Sequence, residues 1–175
     1  AEMPAKHFHG VRIAVARDAA FSFIYRDNIR FLEHLGAEII YFSPINDKKT
    51  PDGINGLMLF GGYPELFAEK LSENRSMMQS IKEKIKSGLP IIAECGGFMY
   101  LHDALAIDDK HTYPMVGVIP GKAFPTAKLQ RFGYVRLYAK ENNLLCNKNE
   151  ELLAHEFHYW DSENCGSGFK AVKES

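Results

Sequence analysis

Short apolar runs alternate with longer segments of helical periodicity in the first hundred residues. Four runs have the composition of buried strands: residues 11–16, 38–42, 56–60 and 90–93. The segment between the first two repeats apolar residues at helical spacing, namely Tyr25, Ile29, Leu32 and Leu35. The segment between the last two does the same with Met77, Met78, Ile81 and Ile85. This alternation predicts an α/β fold with a mostly parallel central sheet and helices on both faces.

The pattern changes after about residue 104, where turn residues become more frequent. Residues 113–121, 131–139 and 152–160 are predicted to be short antiparallel strands. Residues 117–123 resemble a phosphate-binding loop but lack its Ser or Thr, so we interpret them as a turn. Residues 1–9 are predicted to be an N-terminal lead-in or linker, and residues 10–175 to form one domain.

The composition argues against binding to nucleic acid or to membranes, but it does not indicate which reaction the protein would catalyse. The 175 residues are 46% hydrophobic and 25% charged, as in ordinary globular proteins, and the net charge of −1 gives no reason to expect binding to nucleic acid or an anionic membrane. No apolar run is long enough to span a bilayer. Three cysteines without framework spacing favour a reducing compartment, so we expect a cytoplasmic protein.

Cys95 follows the fourth predicted strand and precedes Gly96, Gly97 and a short apolar segment that is predicted to be a helix. A strand-to-helix turn with a nucleophile at its apex is a nucleophile elbow, and glycines relieve the crowding beside it. A helix N-terminus would favour the thiolate. For an isolated cysteine the alternative is a buried structural residue.

Distinctive residues follow three of the predicted strands. Arg17 and Asp18 follow the first, Gly61 and Gly62 the third, and Cys95 the fourth. In parallel sheets, sites form beyond the carboxyl ends of the strands. We therefore expect these residues to meet at one edge.

Seven ordered motifs connect this chain with a known family. They are Arg17-Asp18-x-Ala20-Phe21-x-Phe23-x-Tyr25-x-x-Asn28, Phe42-Ser43-Pro44, Gly61-Gly62-Tyr63-Pro64-Glu65, Ala93-Glu94-Cys95-Gly96-Gly97-x-Met99-Tyr100-Leu101, Tyr113-Pro114-Met115-Val116-Gly117, Leu129-Gln130-Arg131-x-Gly133-Tyr134 and His155-Glu156-Phe157-His158-Tyr159. Together they resemble the glutamine amidotransferase domain of cobyrinic acid a,c-diamide synthase, over about residues 10–159. Cobyric acid synthase is less similar at the third and seventh motifs. The resemblance implies a flavodoxin-like class I glutamine amidotransferase domain with a C-terminal antiparallel portion.

The resemblance also implies a chemistry. Cys95 would attack the side-chain amide of glutamine and form a glutamyl thioester, while Gly62 and Gly96 would supply backbone N–H groups to the oxyanion. The ammonia would serve ATP-dependent amidation of the a and c carboxylates of cobyrinate or hydrogenobyrinate. The implied partners are glutamine, an ATP-dependent synthetase domain or subunit and, through it, the corrin. ATP and Mg²⁺ are expected on that synthetase part, with no cofactor or metal in this domain.

The family's catalytic base is a histidine in a later S-Y-x-H-x-H-F segment, which does not occur before Ser175. The resemblance therefore predicts a domain without its C-terminal part and without the synthetase domain. His158 is the candidate base in this chain, with Glu156 on the same face of a strand. An ordinary strand histidine is the alternative. Two other functions stay open: a catalytically silent docking domain, and a flavodoxin-like redox or chaperone protein with a reactive cysteine.

Overall fold

The computed structural model of the chain describes residues 8–129 and 131–173. Most of the predicted lead-in, Gln130 of the sixth motif and the last two residues lie outside this described part. A four-stranded parallel sheet forms the first half, in the order β2-β1-β3-β4. Its strands are β1 (Arg12–Ala16), β2 (Glu38–Phe42), β3 (Gly56–Leu59) and β4 (Ile91–Ala93). All four strands that the sequence predicts are confirmed, to within a residue at their ends.

Helices cover both faces of this sheet, as the apolar pattern predicts. They are α1 (Arg26–His34), α2 (Ala68–Glu73), α3 (Arg75–Lys86) and the short α4 (Gly96–Tyr100). Successive side chains of β1 point to opposite faces of the sheet and join two different buried clusters. Val15 packs in the cluster that includes Ile29 of α1, and Ala14 in the cluster that includes Met77 and Ile81 of α3. None of the helices in the described part of the chain has the length and apolar character needed to cross a bilayer.

The second half adds two further sheets. A mixed sheet has the order β10-β7-β5-β6 and is built from β5 (His102–Ala106), β6 (Thr112–Pro114), β7 (Ile119–Pro125) and β10 (Trp160–Ser162). An antiparallel sheet has the order β11-β8-β9 and is built from β8 (Arg131–Ala139), β9 (Glu151–His158) and β11 (Phe169–Lys173). The predicted antiparallel C-terminal portion is thus confirmed for this last sheet.

Several details of the second half differ from the prediction. The single strand predicted over residues 152–160 is wrong, because the chain leaves β9 at Tyr159 and continues as β10 in the other sheet, and β11 was not predicted. The single strand predicted over residues 113–121 is wrong, because the chain turns at Gly117, where φ is 71°, and divides it into β6 and β7. Of the turn predicted over residues 117–123, residues 119–123 lie within β7 and are not a turn. The strand β5 was not predicted, because only Leu101 separates it from α4; it pairs with β7 in parallel.

Candidate active site

Cys95 occupies a strained turn between β4 and α4. Its backbone has φ 49° and ψ −111°, a conformation that is costly for a residue with a side chain. Among the described residues, Asn149 is the other non-glycine with positive φ. This is the sharp strand-to-helix turn that the sequence predicts, and it exposes part of the cysteine at the end of the sheet.

The glycines after Cys95 allow α4 to begin directly against β3. A Cβ on Gly97 would overlap the carbonyl oxygen of Leu59. The Gly97 N–H donates to the carbonyl oxygens of Phe60, at 3.0 Å, and Glu94, at 2.9 Å. No larger residue fits at position 97 without moving the strand, so the elbow depends on this glycine.

The loop after β3 is held by hydrogen bonds on both sides of Gly62. The Phe23 N–H donates to the Gly61 carbonyl at 3.1 Å, and the Tyr63 N–H donates to the Ala20 carbonyl at 2.9 Å. A Cβ on Gly62 would overlap the same Ala20 oxygen. Within residues 8–129 and 131–173, the Gly62 N–H has no acceptor. A fixed N–H without a partner is available to a ligand.

The loop and the elbow meet beside the thiol. A Cβ on Gly61 would lie 3.6 Å from Cys95 Cβ and 3.9 Å from its Sγ. A Cβ on Gly96 would lie 3.4 Å from the Gly62 nitrogen and 2.8 Å from Cδ of Pro64. The ends of β1, β3 and β4 therefore converge at one edge of the sheet, as predicted, with the backbones of Gly62 and Gly96 next to Cys95.

Asp18 ties the loop after β1 to the loop after β2. One carboxylate oxygen accepts hydrogen bonds from the backbone N–H groups of Ala20, at 2.9 Å, and Phe21, at 3.2 Å. The other accepts from the Ser43 hydroxyl at 2.8 Å and the Ile45 N–H at 2.9 Å. The sequence indicated that Asp18 lies at this edge but did not reveal its connecting role, which depends on side-chain contacts between distant loops.

The electrostatics of the elbow differ from the sequence-based expectation. Burial by surrounding atoms raises the pKa of the Cys95 thiol; the Gly96 N–H acts against this, and the carboxylates of Glu65 and Glu94 raise the pKa further. The expected thiolate preference is thus wrong for the unliganded chain, because five-residue α4 is too short to outweigh burial and two negative charges. Burial also raises the pKa of the Glu65 and Glu94 carboxyls.

The hydrogen bond of His158 is made to a residue outside the group around Cys95. Its Nδ1 is 2.6 Å from the carbonyl oxygen of Trp160. The carboxylate of Glu156 lies 3.9 Å from the guanidinium of Arg131 and not against the His158 ring. Among the described residues, no hydrogen bond links His158 to Cys95.

Residues 8–129 and 131–173 contain no candidate metal site. No three or more His, Cys, Asp or Glu side chains there are grouped so that they could hold an ion.

Comparison with known proteins identifies the group to which this arrangement belongs. Residues 12–167 match the CobB/CobQ-like glutamine amidotransferase domain. The chain belongs to this family. The predicted resemblance is confirmed, and the strained cysteine with its glycine-rich neighbours lies inside the matched region.

Several curated relatives are cobyrinate a,c-diamide synthases. The enzyme of Caldanaerobacter subterraneus subsp. tengcongensis is 47% identical over 149 residues, which cover 85% of this chain and 33% of the relative. The enzyme of Clostridium tetani is 49% identical over 148 residues, with the same two coverages. The amidotransferase chain thus spans about a third of the length of the curated relatives it matches.

Solved structures confirm the fold. The structure of PurLQS from Thermotoga maritima superposes with a TM-score of 0.61 at 19% identity, covering 94% of this chain and 76% of that one. A second structure, described as a glutamine amidotransferase, has a TM-score of 0.58 at 15% identity and covers 88% and 75% of the two chains. The chain has the flavodoxin-like α/β fold of class I glutamine amidotransferase domains.

Proposed function

We propose that this amidotransferase domain releases ammonia from glutamine at Cys95 for ATP-dependent amidation of a corrin. One observation carries the proposal: the strained Cys95 turn lies beside the backbone of Gly62 and Gly96. A nucleophile and two preorganised N–H groups are the parts that acyl transfer from an amide requires.

The first half of the reaction forms a thioester. The Cys95 sulfur bonds to the side-chain carbonyl carbon of glutamine, and the C=O electron pair moves to the oxygen. The N–H groups of Gly62 and Gly96 stabilise this oxyanion. When the electron pair returns, the C–N bond breaks, and the nitrogen takes up a proton and leaves as ammonia. Water then attacks the thioester carbon, releases glutamate and restores the thiol.

A proton must leave the Cys95 thiol before the attack, and a proton must reach the departing nitrogen. A general base contributes about a hundred- to ten-thousand-fold to such steps. His158 is the candidate base that the sequence offers, although its described hydrogen-bond partner is the Trp160 carbonyl. The raised pKa of Cys95 makes the need for a base greater, because less thiolate is present at neutral pH.

The use of the ammonia is inferred from the relatives. They are diamide synthases about three times the length of the matched segment. We infer that this domain works with an ATP-dependent synthetase domain or subunit, which carries ATP and Mg²⁺ and amidates the a and c carboxylates of cobyrinate or hydrogenobyrinate. Three free cysteines fit a reducing, cytoplasmic setting for this work.

A catalytically silent docking domain is the second candidate. Its support is that Cys95 has a raised pKa and no side-chain base in hydrogen-bond contact within the described part of the chain. Such a domain would keep the fold and its partner surface while releasing no glutamate.

Glutamate release separates the two candidates. The chain is assayed with glutamine, alone and mixed with the part of the Clostridium tetani synthase that lies outside the match, called here the complementary part. We expect release in the mixture, its loss in Cys95→Ser, and its retention in the matched control Cys165→Ser. Release that persists in Cys95→Ser would contradict the assignment, and no release from any mixture would favour the silent domain.

A further inference from the structure

One face of the β8–β9 ribbon is lined with aromatic side chains. The antiparallel register places Phe132 opposite Phe157 and Tyr134 opposite His155, so these four residues share a face. Their rings contact one another edge to face, with centroids 5.2–5.9 Å apart. Leu153 continues the same face, and the Tyr159 ring lies 6.0 Å from that of Phe157. We call these six residues the aromatic face.

The aromatic face is open to solvent. The exposed fractions are 74% for Tyr134, 73% for Leu153, 59% for Phe132, 56% for Phe157 and 52% for Tyr159. With about 200 Å² per large side chain, they expose roughly 600 Å² of largely apolar surface. That is at the upper end of the largest patch on a typical monomer, about 300–600 Å², and such patches are often functional.

The opposite face of the same ribbon is less exposed, so the large exposed side chains are concentrated on one side. Val135 and Ala139 point away from the aromatic face and are only 3% exposed. The outer edge of β9 is also open, since β9 pairs only with β8 among the described strands. An open edge beside an exposed apolar face is a surface that proteins normally cover.

The chemistry of the aromatic face fits a protein partner. Tyr and Phe are enriched at protein interfaces, where they bury large areas at little entropic cost. The charged groups at the end of the face, Arg136 and Glu151, form a 2.8 Å ion pair and so add no net charge for a nucleic acid. The exposed area approaches the roughly 800 Å² per partner of a standard protein interface.

We propose that the aromatic face is where this domain docks on the rest of the synthase polypeptide. The length of the relatives indicates the docking partner. About two thirds of each of the two diamide synthases described above lies outside the segment that this chain matches. This inference rests on the proposed function, because the partner is identified from the diamide synthases. It requires no catalytic step, because docking is measured as binding and not as turnover.

Binding is measured by sedimentation velocity and calorimetry between the Cys95→Ser chain and the complementary part. Using the Cys95→Ser variant separates docking from turnover, so failure of either claim can be recognised by itself. The test variant is Tyr134→Ser combined with Phe157→Ser. The matched control is Phe31→Ser, which removes a 43% exposed aromatic from α1.

We expect one-to-one binding by the parent and control chains, and at least tenfold weaker binding by the double variant. Hydrogen exchange on the unsubstituted chain should show new protection in β8 and β9 when the complementary part is added, a result that does not depend on how the variant folds. Equal binding by the double variant, or protection elsewhere with none in these strands, would overturn the proposal. So would self-association through the aromatic face without binding to the complementary part.

Discussion

The Tyr63 N–H donates a 2.9 Å hydrogen bond to the carbonyl oxygen of Ala20. This bond joins the loop after β1 to the loop after β3, immediately beyond Gly62. Together with the bond from Phe23 to Gly61, it fixes the backbone on both sides of the Gly62 N–H. A donor held in this way needs no reorganisation when charge develops on a substrate oxygen.

Replacing Gly62 with alanine should damage both turnover and the loop. The added Cβ overlaps the Ala20 oxygen, so the backbone must shift and the N–H moves with it. Loss of one oxyanion donor raises the barrier by about 2.7–4 kcal/mol, a fall in kcat of about a hundred- to a thousandfold. The matched control is Gly168→Ala, where a Cβ would meet only the Glu141 side chain, at 3.6 Å. Near-normal glutamate release by Gly62→Ala in the mixture would show that Gly62 is not an oxyanion donor.

Asp18→Asn should lower stability and slow turnover together. An amide keeps one acceptor oxygen, so at least one pair of the four hydrogen bonds at Asp18 is disrupted. Each lost bond to a charged group costs about 1.5–3 kcal/mol, and each kcal/mol lowers Tm by about 2–4 °C in a chain of this size. Asp27→Asn is the control, because its 3.7 Å ion pair with Arg30 is largely exposed. Thermal unfolding that is the same in both variants would contradict the role given to Asp18.

Glu65→Gln should make the Cys95 thiol more acidic. The Glu65 carboxylate disfavours the thiolate and so raises the pKa of Cys95; removing the charge lowers that pKa. Because the thiolate is the reactive form, the pH profile of iodoacetamide alkylation at Cys95 should move to lower pH. Glu69→Gln in α2 is the control with no expected shift. The rates are followed by mass spectrometry of the Cys95 peptide, and an unmoved or higher midpoint in Glu65→Gln would contradict this electrostatic account.

The chain alone should release glutamate very slowly, and His158→Ala should leave that rate unchanged. His158 is hydrogen-bonded to Trp160, and no side-chain base is bonded to Cys95 in the described residues. Cys95→Ser supplies the background rate for the assay. If the chain turns over rapidly and His158→Ala reduces release to that background, His158 is the base, and its position in the active state differs from the one described.

Local patterns predicted most of the first half of the fold, although not the separate short helix α2. Each of the strands β1 to β4 is a short apolar run after a break, and the helices between them show the spacing of one buried face. The strand β5 was missed because the single residue Leu101 separates it from α4, and leucine gives no turn signal. The parallel pairing of β5 with β7 depends on contacts that no local pattern contains.

The sequence was enough to predict the backbone turns of the candidate site and their meeting at one edge of the sheet. The glycines beside Cys95 and the Gly61-Gly62 pair indicated tight turns, and the parallel topology brought them together. The pKa of Cys95 was not predictable, because it depends on burial and on Glu65, which is thirty residues away in the sequence. The role of Asp18 was hidden for the same reason.

In the proposed reaction, Cys95 is the residue that attacks glutamine. The most direct measurement is peptide mapping of the chain after treatment with the glutamine analogue 6-diazo-5-oxo-L-norleucine, with excess glutamine as a competitor. We predict a single adduct on Cys95 that glutamine suppresses and that Cys95→Ser does not form. An adduct on Cys146 or Cys165 in place of Cys95, or labelling of Cys95 that glutamine does not slow, would contradict the account.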